Sequence, residues 1–202
     1  MPDYNNIAWI YDFLTKLVFG SKQDKANKVF LGEIPLEARV LVVGGGTGKI
    51  IEYLNNLGRN LEVDYVESSS KMLVLSKKRT NQSLKLNFHQ LSILNYTGKD
   101  YDVIITNFFF DQFPQQLGQE IANHLSPKLK RNGFIIFSDF IEVKNLWDSF
   151  ISKAAIVFLR LTANLQINCL PDYGEQFRNA NLKQVNVSKT SGNIIASILI
   201  PI

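Results

Sequence analysis

The chain has 202 residues, of which 46% are hydrophobic and 20% charged, and it carries a net charge of +4 with an isoelectric point near 9.1. These values are typical of one soluble globular domain with a sizeable core, and they exclude a collagenous, disordered or disulfide-stapled chain. Cys169 is the only cysteine, so the sequence holds no disulfide framework and no cysteine-based metal site, and no block of like charges indicates a nucleic-acid surface.

The amino-terminal residues lack the basic start and apolar run of a signal peptide, and no stretch of about 18 apolar residues is present. We therefore expect a cytoplasmic protein without a membrane span, and peripheral membrane contact stays open. Apolar residues at helical spacing predict a helix over residues 6–19, which Gly20 ends, and a second short helix over residues 22–31.

Residues 39–49, with the sequence RVLVVGGGTGK, are the most informative part of the chain. They predict a buried strand over 40–43, a loop containing Gly44, Gly45, Gly46 and Gly48, and a helix over 49–56. A second strand over 61–66 ends at Glu67, which follows Gly48 by 19 residues. An acid at that place is suited to the two hydroxyls of a ribose.

The glycine spacing excludes two common nucleotide-binding motifs. A dinucleotide fingerprint requires glycine where this chain has Lys49. A P-loop requires glycine at Val43 and serine or threonine at Ile50. A G-x-G-x-G loop followed by an acid at the end of the second strand remains.

Strands and helices continue to alternate after the second strand. We predict helices over 70–79 and 115–124, strands over 84–89, 103–107 and 134–138, and a terminal hairpin over 182–188 and 193–201. Between the fifth strand and the hairpin, an apolar stripe predicts a helix over 144–166. The alternation indicates an α/β fold with a Rossmann-like, doubly wound sheet.

The G-x-G-x-G loop followed by an acid at the end of the second strand resembles the first two motifs of class I S-adenosylmethionine-dependent methyltransferases. The resemblance implies a single domain over 1–202 with a seven-stranded sheet, whose last strand is antiparallel. Its parts would be a helical cap over 1–32, a cofactor-binding core over 38–140, a helical lid over 141–180 and the terminal hairpin over 181–202. The implied cofactor is S-adenosylmethionine.

The same resemblance assigns the cofactor-binding residues. Glu67 would hold the ribose, Ser68 and Met72 match the second motif, and Met72 would cover the adenine. Ser92 and Ile93 would border the adenine from the segment after the third strand, and Asn107 begins the loop that lines the pocket between cofactor and acceptor. No metal ligands are implied.

Three residues are candidates for catalysis. Asp111 is the best-placed general base, with a helix N-cap as its alternative role. Asp139, after the fifth strand, either faces the substrate or serves as a cap or surface residue. The run over 4–12 resembles the start of the ubiquinone- and menaquinone-biosynthesis methyltransferases, in which a tyrosine reaches the active site; Tyr11 would be that residue, with Tyr4 as second choice.

We therefore expect methyl transfer to a small, hydrophobic or aromatic acceptor in a pocket covered by helical lids. The alternative is a methyltransferase-like binding or partner protein without turnover, because Val42 and Ser92 stand where the family usually has acids. The sequence leaves open whether the apolar face around Trp147 packs within the chain or forms a homodimer.

Overall fold

The computed structural model describes residues 21–79, 84–141, 170–191 and 193–202. Several predictions lie outside these described residues. They are the helix over 6–19 with Tyr4 and Tyr11, the lid helix over 144–166 with Trp147, and the hairpin glycine Gly192.

A single seven-stranded sheet organises the described residues, in the order β3-β2-β1-β4-β5-β7-β6. The first five strands pair in parallel, and β7 runs antiparallel to both β5 and β6. The predicted α/β fold and its antiparallel terminal hairpin are confirmed. The strands are β1 (Arg39–Val43), β2 (Glu62–Val66), β3 (Lys85–His89), β4 (Tyr101–Asn107), β5 (Leu129–Phe140), β6 (Leu182–Ser191) and β7 (Ile194–Pro201).

The central strands are buried on both faces, which explains their continuous apolar sequences. On one face Leu41 and Ile104 belong to a core with the aromatic residues that follow β4. On the other face Val40 and Val42 pack with Ile51 and Leu54 of the first helix after the glycine loop. The sheet is thus a rigid platform whose strand ends hold the loops in place.

Five α-helices cover the sheet among the described residues: α1 (Ser21–Lys28), α2 (Lys49–Asn55), α3 (Ser70–Lys77), α4 (Gln115–Leu125) and α5 (Tyr173–Asn179). The first four lie where the sequence predicts helices, with ends that differ by at most three residues. No helix in this described part of the chain is long and apolar enough to span a bilayer.

The fifth strand begins earlier than the sequence predicts. It starts at Leu129, which pairs with Tyr101, and a register shift follows before Val103 pairs with Phe134. Gly133 lies at this irregularity, where a Cβ atom would be 2.7 Å from the carbonyl oxygen of Tyr101. The glycine that suggests a turn is therefore a close-approach position inside the strand.

Helix α5 is not predicted from the sequence. Its N-cap is Asp172, whose side chain accepts a hydrogen bond of 3.0 Å from the backbone N–H of Glu175. The Gln176 amide donates to the carbonyl oxygen of Gln115, which ties α5 to α4. The prediction missed α5 because a seven-residue helix shows too few apolar repeats to stand out.

Strand β6 forms one free edge of the sheet, and its pairing with β7 is irregular. The register shifts between Val185 and Ser188, and Asn186 there has a φ of 50°. The extra residue in β6 makes a β-bulge.

Candidate active site

A cavity opens at the carboxyl ends of β1, β2 and β4, and it encloses about 1050 Å³ including its open mouth. The strand order reverses between β1 and β4, and open α/β sheets bind ligands beside such a reversal. Its walls come from α1, the glycine loop, the ends of the three strands, the start of α3 and the loop after β4. Lining residues include Asp24, Val42, Gly44, Gly45, Gly46, Lys49, Glu67, Ser68, Met72, Asn107, Phe108 and Phe109.

The glycine loop is shaped by its packing as well as by its conformation. A Cβ atom at Gly45 would lie 2.2 Å from the Tyr65 ring, and one at Gly44 would lie 2.4 Å from the Phe109 ring. Gly46 has a φ of +61°, and a Cβ atom there would meet nothing within 4 Å. The Tyr65 hydroxyl donates to the carbonyl oxygen of Gly46 at 3.0 Å, which holds the loop from below. Gly46 is the glycine that borders free space in the cavity.

Gly48 has a different role from the other loop glycines. Its φ is +88°, and a Cβ atom would lie 2.7 Å from the Cα of Ser76 in α3. Gly48 therefore lets α2 start close against α3, and it does not line the cavity.

The Glu67 carboxylate is buried beside the loop, with an exposed fraction of 7%. Its Oε2 accepts a hydrogen bond of 2.9 Å from the Gly46 N–H, and its Oε1 accepts one of 2.8 Å from the Ser69 N–H. Burial raises the pKa of Glu67 despite these bonds. The backbone and side chain of Ser68 also donate to this carboxylate, so the hydroxyls of a sugar would share or replace the Ser68 contacts while Glu67 holds the loop.

The Asn107 side chain is the main unsatisfied polar group on the cavity wall. Its Oδ1 and Nδ2 atoms are both buried and have no hydrogen-bond partner among the described residues. The next residue, Phe108, has a φ of 52°, and its N–H donates to the Ser138 carbonyl oxygen at 2.7 Å. An orphaned amide and a strained backbone at one strand end are features of ligand sites.

Aromatic rings form the wall of the cavity beyond Asn107. Phe108, Phe109 and Phe113 line it, and the rings of Phe109 and Phe113 pack edge to face with centroids 4.9 Å apart. Phe108 packs against Phe140 at 5.0 Å. This side of the cavity is suited to an apolar or aromatic molecule.

Asp111 and Asp139 lie behind this wall in an acidic cluster, in which Asp111 is partly exposed. Asp139 is fully buried, and its Oδ2 accepts from the backbone N–H groups of Phe110 at 2.9 Å and Asp111 at 3.2 Å. Burial raises the pKa of both acids, and their mutual repulsion raises that of Asp139 further. Asp139 thus caps the short turn over Phe110–Gln112, and neither acid lines the cavity.

Neither histidine is placed as a metal ligand. His89 contacts the Asp64 carboxylate at 3.2 Å, and His124 contacts the Tyr96 carbonyl oxygen at 3.0 Å. Within residues 21–79, 84–141, 170–191 and 193–202, no group of three or more metal-ligating side chains is found.

Comparison with known proteins agrees with this geometry. Residues 41–135 match a family described as a methyltransferase domain. Over 113 residues the chain is 30% identical to malonyl-[acyl-carrier protein] O-methyltransferase 2 of Ilyobacter polytropus, covering 55% of this chain and 43% of that protein. It is 26% identical to demethylmenaquinone methyltransferase of Thermotoga maritima, covering 68% of this chain and 60% of that protein.

These matches support the resemblance of the chain to class I S-adenosylmethionine-dependent methyltransferases. The chain spans less than two thirds of the length of either relative. Its fold matches the DhpI–SAH complex with a TM-score of 0.72 and 15% identity, covering 98% of this chain and 93% of that one. The cofactor of such methyltransferases is S-adenosylmethionine, and the open space at Gly46, the strand-end carboxylate of Glu67 and the orphaned Asn107 amide fit such a molecule.

Seven of the predicted site residues meet on the wall of the cavity: Gly44, Gly45, Gly46, Glu67, Ser68, Met72 and Asn107. Five others lie elsewhere. Gly48 packs against α3, and Asp111 and Asp139 lie in the acidic cluster. Ser92 accepts a hydrogen bond from the Leu94 N–H at 3.3 Å, and Ile93 is buried in the core.

The cavity also has residues that the sequence analysis did not select. Gln23, Asp24 and Asn27 come from α1, and Lys49 comes from the first residue of α2. Spacing does carry a signal for the α1 residues, because positions 23, 24 and 27 share one face of a helix. This spacing indicates a binding role only once α1 is known to lie against the glycine loop.

Proposed function

We propose that the protein transfers the methyl group of S-adenosylmethionine to a small, apolar or aromatic acceptor. One observation carries the proposal: the glycine loop, the strand-end acid Glu67 and the aromatic wall after β4 line the same cavity. Such an arrangement brings two molecules together, and holding them in reactive geometry supplies most of the rate enhancement of a displacement reaction.

Each part of the cavity has a role in this proposal. Glu67 accepts from the ribose hydroxyls, Met72 lies against the adenine, and Gly46 leaves room for the cofactor. When bound, the cofactor supplies an activated methyl group on a sulfonium. The Asn107 amide then offers a donor and an acceptor to the polar atoms near the reacting centre, and Phe108, Phe109 and Phe113 hold the apolar body of the acceptor.

The charges on the wall bear on the kind of acceptor. Among the described lining residues, the charged side chains are Asp24, Lys49 and Glu67. Glu67 is engaged with the loop, and the remaining two form an ion pair at the mouth of the cavity. This favours an acceptor whose nucleophilic atom needs no strong general base, unless residues such as Tyr11 supply one.

Titration calorimetry with S-adenosylmethionine and S-adenosylhomocysteine tests the proposal, with NADH as the control ligand. We expect micromolar binding of the first two and none of NADH. An acceptor screen over apolar phenols, quinones and amines then tests turnover by mass spectrometry.

A second candidate function is cofactor binding without turnover. It is favoured by the position of Asp111 and Asp139 behind the aromatic wall, where neither lines the cavity. Tight cofactor binding with no methylated product over the whole acceptor screen would support it, whereas a methylated product excludes it.

A further inference from the structure

An ion pair at the mouth of the cavity carries a further inference, which rests on the proposed function. Asp24 lies on α1 and Lys49 at the start of α2, and the Lys49 Nζ is 2.6 Å from the Asp24 Oδ1. The Tyr53 hydroxyl donates to the same oxygen at 3.1 Å. Both charged side chains line the cavity and keep 38–39% of their surface exposed, so a bound molecule can reach them.

The rest of the described wall offers no comparable pair of charges. Glu67 is buried, and both of its oxygens accept from backbone N–H groups. Val42, which lines the cavity where the family usually has an acid, carries no charge. An amino-acid group carries one ammonium and one carboxylate, so it requires one anion and one cation close together. Asp24 and Lys49 meet that requirement.

We propose that Asp24 and Lys49 bind the amino-acid end of S-adenosylmethionine. Asp24 accepts hydrogen bonds from the α-ammonium group, and Lys49 donates to the α-carboxylate. The two side chains neutralise each other before binding, and the ligand then replaces each partner by a group of the same charge. No charge is left without a partner at any stage.

The exchange is energetically accessible because the pair is only half-buried, and exposed ion pairs contribute little to stability. Asp24 also stays ionised at neutral pH. Burial alone would raise the pKa of Asp24, but hydrogen bonds from Lys49 and Tyr53 outweigh that effect and lower it. The Tyr53 hydroxyl can keep its hydrogen bond to Asp24 during the exchange, which holds the carboxylate in position.

This assignment moves part of the cofactor site from the sheet to α1. An acid at Val42 would be fixed on β1, whereas Asp24 lies on a helix before β1 in the chain. The inner face of α1 is anchored at Ala26, whose carbonyl oxygen accepts from the Ser138 hydroxyl at 3.3 Å. Binding at Asp24 therefore links the cofactor, α1 and the end of β5.

Two ligands that differ only at the amino-acid end test the assignment. S-adenosylhomocysteine carries the amino-acid group, and 5′-methylthioadenosine lacks it. Calorimetry measures both for the wild type, Asp24→Asn and Lys49→Met. The matched controls are Glu33→Gln and Lys25→Met, because both residues are exposed and neither lines the cavity. Thermal unfolding checks that each variant is folded, and Asp24→Glu and Lys49→Arg serve as conservative variants.

We expect Asp24→Asn and Lys49→Met each to weaken S-adenosylhomocysteine binding about tenfold, the loss expected for one charge-assisted hydrogen bond. Binding of 5′-methylthioadenosine should stay within about twofold, the controls should match the wild type, and Lys49→Arg should retain most of the affinity.

Three results would overturn the assignment. One is unchanged S-adenosylhomocysteine binding in both variants, and another is an equal loss of both ligands. The third is a wild type that binds both ligands equally well, which removes the inference but leaves the proposed function in place. If the wild type binds neither ligand, both the proposed function and this inference fail.

Discussion

Glu67 combines two tasks in one side chain, because it fixes the glycine loop and faces the ligand cavity. Replacing it by glutamine keeps the shape but turns one acceptor oxygen into a donor. Either Gly46 or Ser69 then loses the acceptor for its N–H. For Glu67→Gln we expect S-adenosylhomocysteine affinity to fall by about ten- to a hundredfold, and the free energy of unfolding to fall by about 1–3 kcal/mol. Calorimetry and urea unfolding measure the two effects.

Glu62→Gln is the control for that experiment. Glu62 is the first residue of β2, and its carboxylate pairs with Lys85 at 3.2 Å on the surface. For Glu62→Gln we expect the free energies of unfolding and of ligand binding to change by no more than about 0.5 kcal/mol, as for the loss of an exposed ion pair. Wild-type ligand affinity in Glu67→Gln would show that Glu67 serves the loop alone.

At the level of single residues, sequence rules located positions better than roles. The strand-end rule brings Glu67 and Asn107 to the cavity, because Glu67 directly follows β2 and Asn107 is the last residue of β4. It cannot tell which way a loop turns next. After Asn107 the backbone turns so that Phe110–Gln112 folds over Asp139, and Asp139 takes the capping role that the sequence left open beside a substrate-facing one.

Two glycines of the glycine loop have different roles, so we expect substitution of one to weaken ligand binding and substitution of the other to lower the free energy of unfolding. Gly46, Gly48 and Gly58 all have positive φ angles, so alanine is strained at each by about 1 kcal/mol. Gly46→Ala adds a methyl group in the cavity, where we expect it to weaken cofactor binding. Gly48→Ala adds one 2.7 Å from Ser76, where we expect a further loss of about 1–3 kcal/mol in the free energy of unfolding.

Gly58→Ala is the matched control, since a Cβ atom there also meets nothing within 4 Å and Gly58 does not line the cavity. Urea unfolding of the three variants and calorimetry with S-adenosylhomocysteine separate the effects. Equal unfolding free energies for Gly48→Ala and Gly58→Ala would contradict the close packing of α2 on α3. Equal ligand affinities for Gly46→Ala and Gly58→Ala would contradict the position of the cofactor.

Helices and strands with a clear apolar pattern in the sequence were predictable. Element ends that depend on pairing between distant strands were not. Buried parallel strands such as β1 and β4 read as apolar runs, and α4 shows its amphipathic spacing over three turns. The start of β5 depends on Leu129 pairing with Tyr101 across an irregularity, which no local pattern reports. Helix α5 is too short for a visible period, although Asp172 and Glu175 do have capping spacing.

The partly exposed Asp111 and the buried Asp139 affect the stability of the whole molecule. Burial raises the pKa of Asp111 from 3.8 to about 7 and raises that of Asp139 in the same direction. The pKa of such a carboxyl is higher in the folded state than in the unfolded chain. At a pH between the two pKa values the carboxyl ionises only in the unfolded chain, and this favours unfolding. Its contribution to stability is therefore lost as pH rises from about 3.8 towards 7, by about 1.4 kcal/mol per pH unit for one fully titrating group.

We expect Asp111→Asn to flatten this dependence and to be more stable than the wild type at pH 8. The asparagine cannot ionise and no longer repels Asp139. Urea unfolding between pH 4 and 8 measures the free energy of unfolding of the wild type and the variant. Asp100→Asn is the control, because Asp100 is exposed and asparagine tolerates the φ of 65° at this position. A variant curve parallel to the wild-type curve would rule out a titrating pair. The lowered pKa values of Asp64 and Asp102 act below this range, so they do not obscure the result.

The overall fold was predictable because strands and helices alternate along the core of the chain, and the resemblance to class I methyltransferases implied seven strands with the last one antiparallel. Only part of the cavity wall could be predicted from the sequence. Its floor comes from β1, β2 and β4 and follows from the motifs, whereas its rim comes from α1, whose position against Lys49 depends on long-range packing.

The bulge in β6 has a consequence for how the molecule behaves at high concentration. An unprotected edge strand can recruit strands from other molecules and grow into insoluble fibrils. At Asn186 the backbone of β6 departs from regular pairing geometry, and Lys183 and Lys189 on either side are exposed. An incoming strand would lose its register there and bring charges close together. We therefore expect the irregular edge of β6 to hinder strand addition by other molecules and so to reduce aggregation.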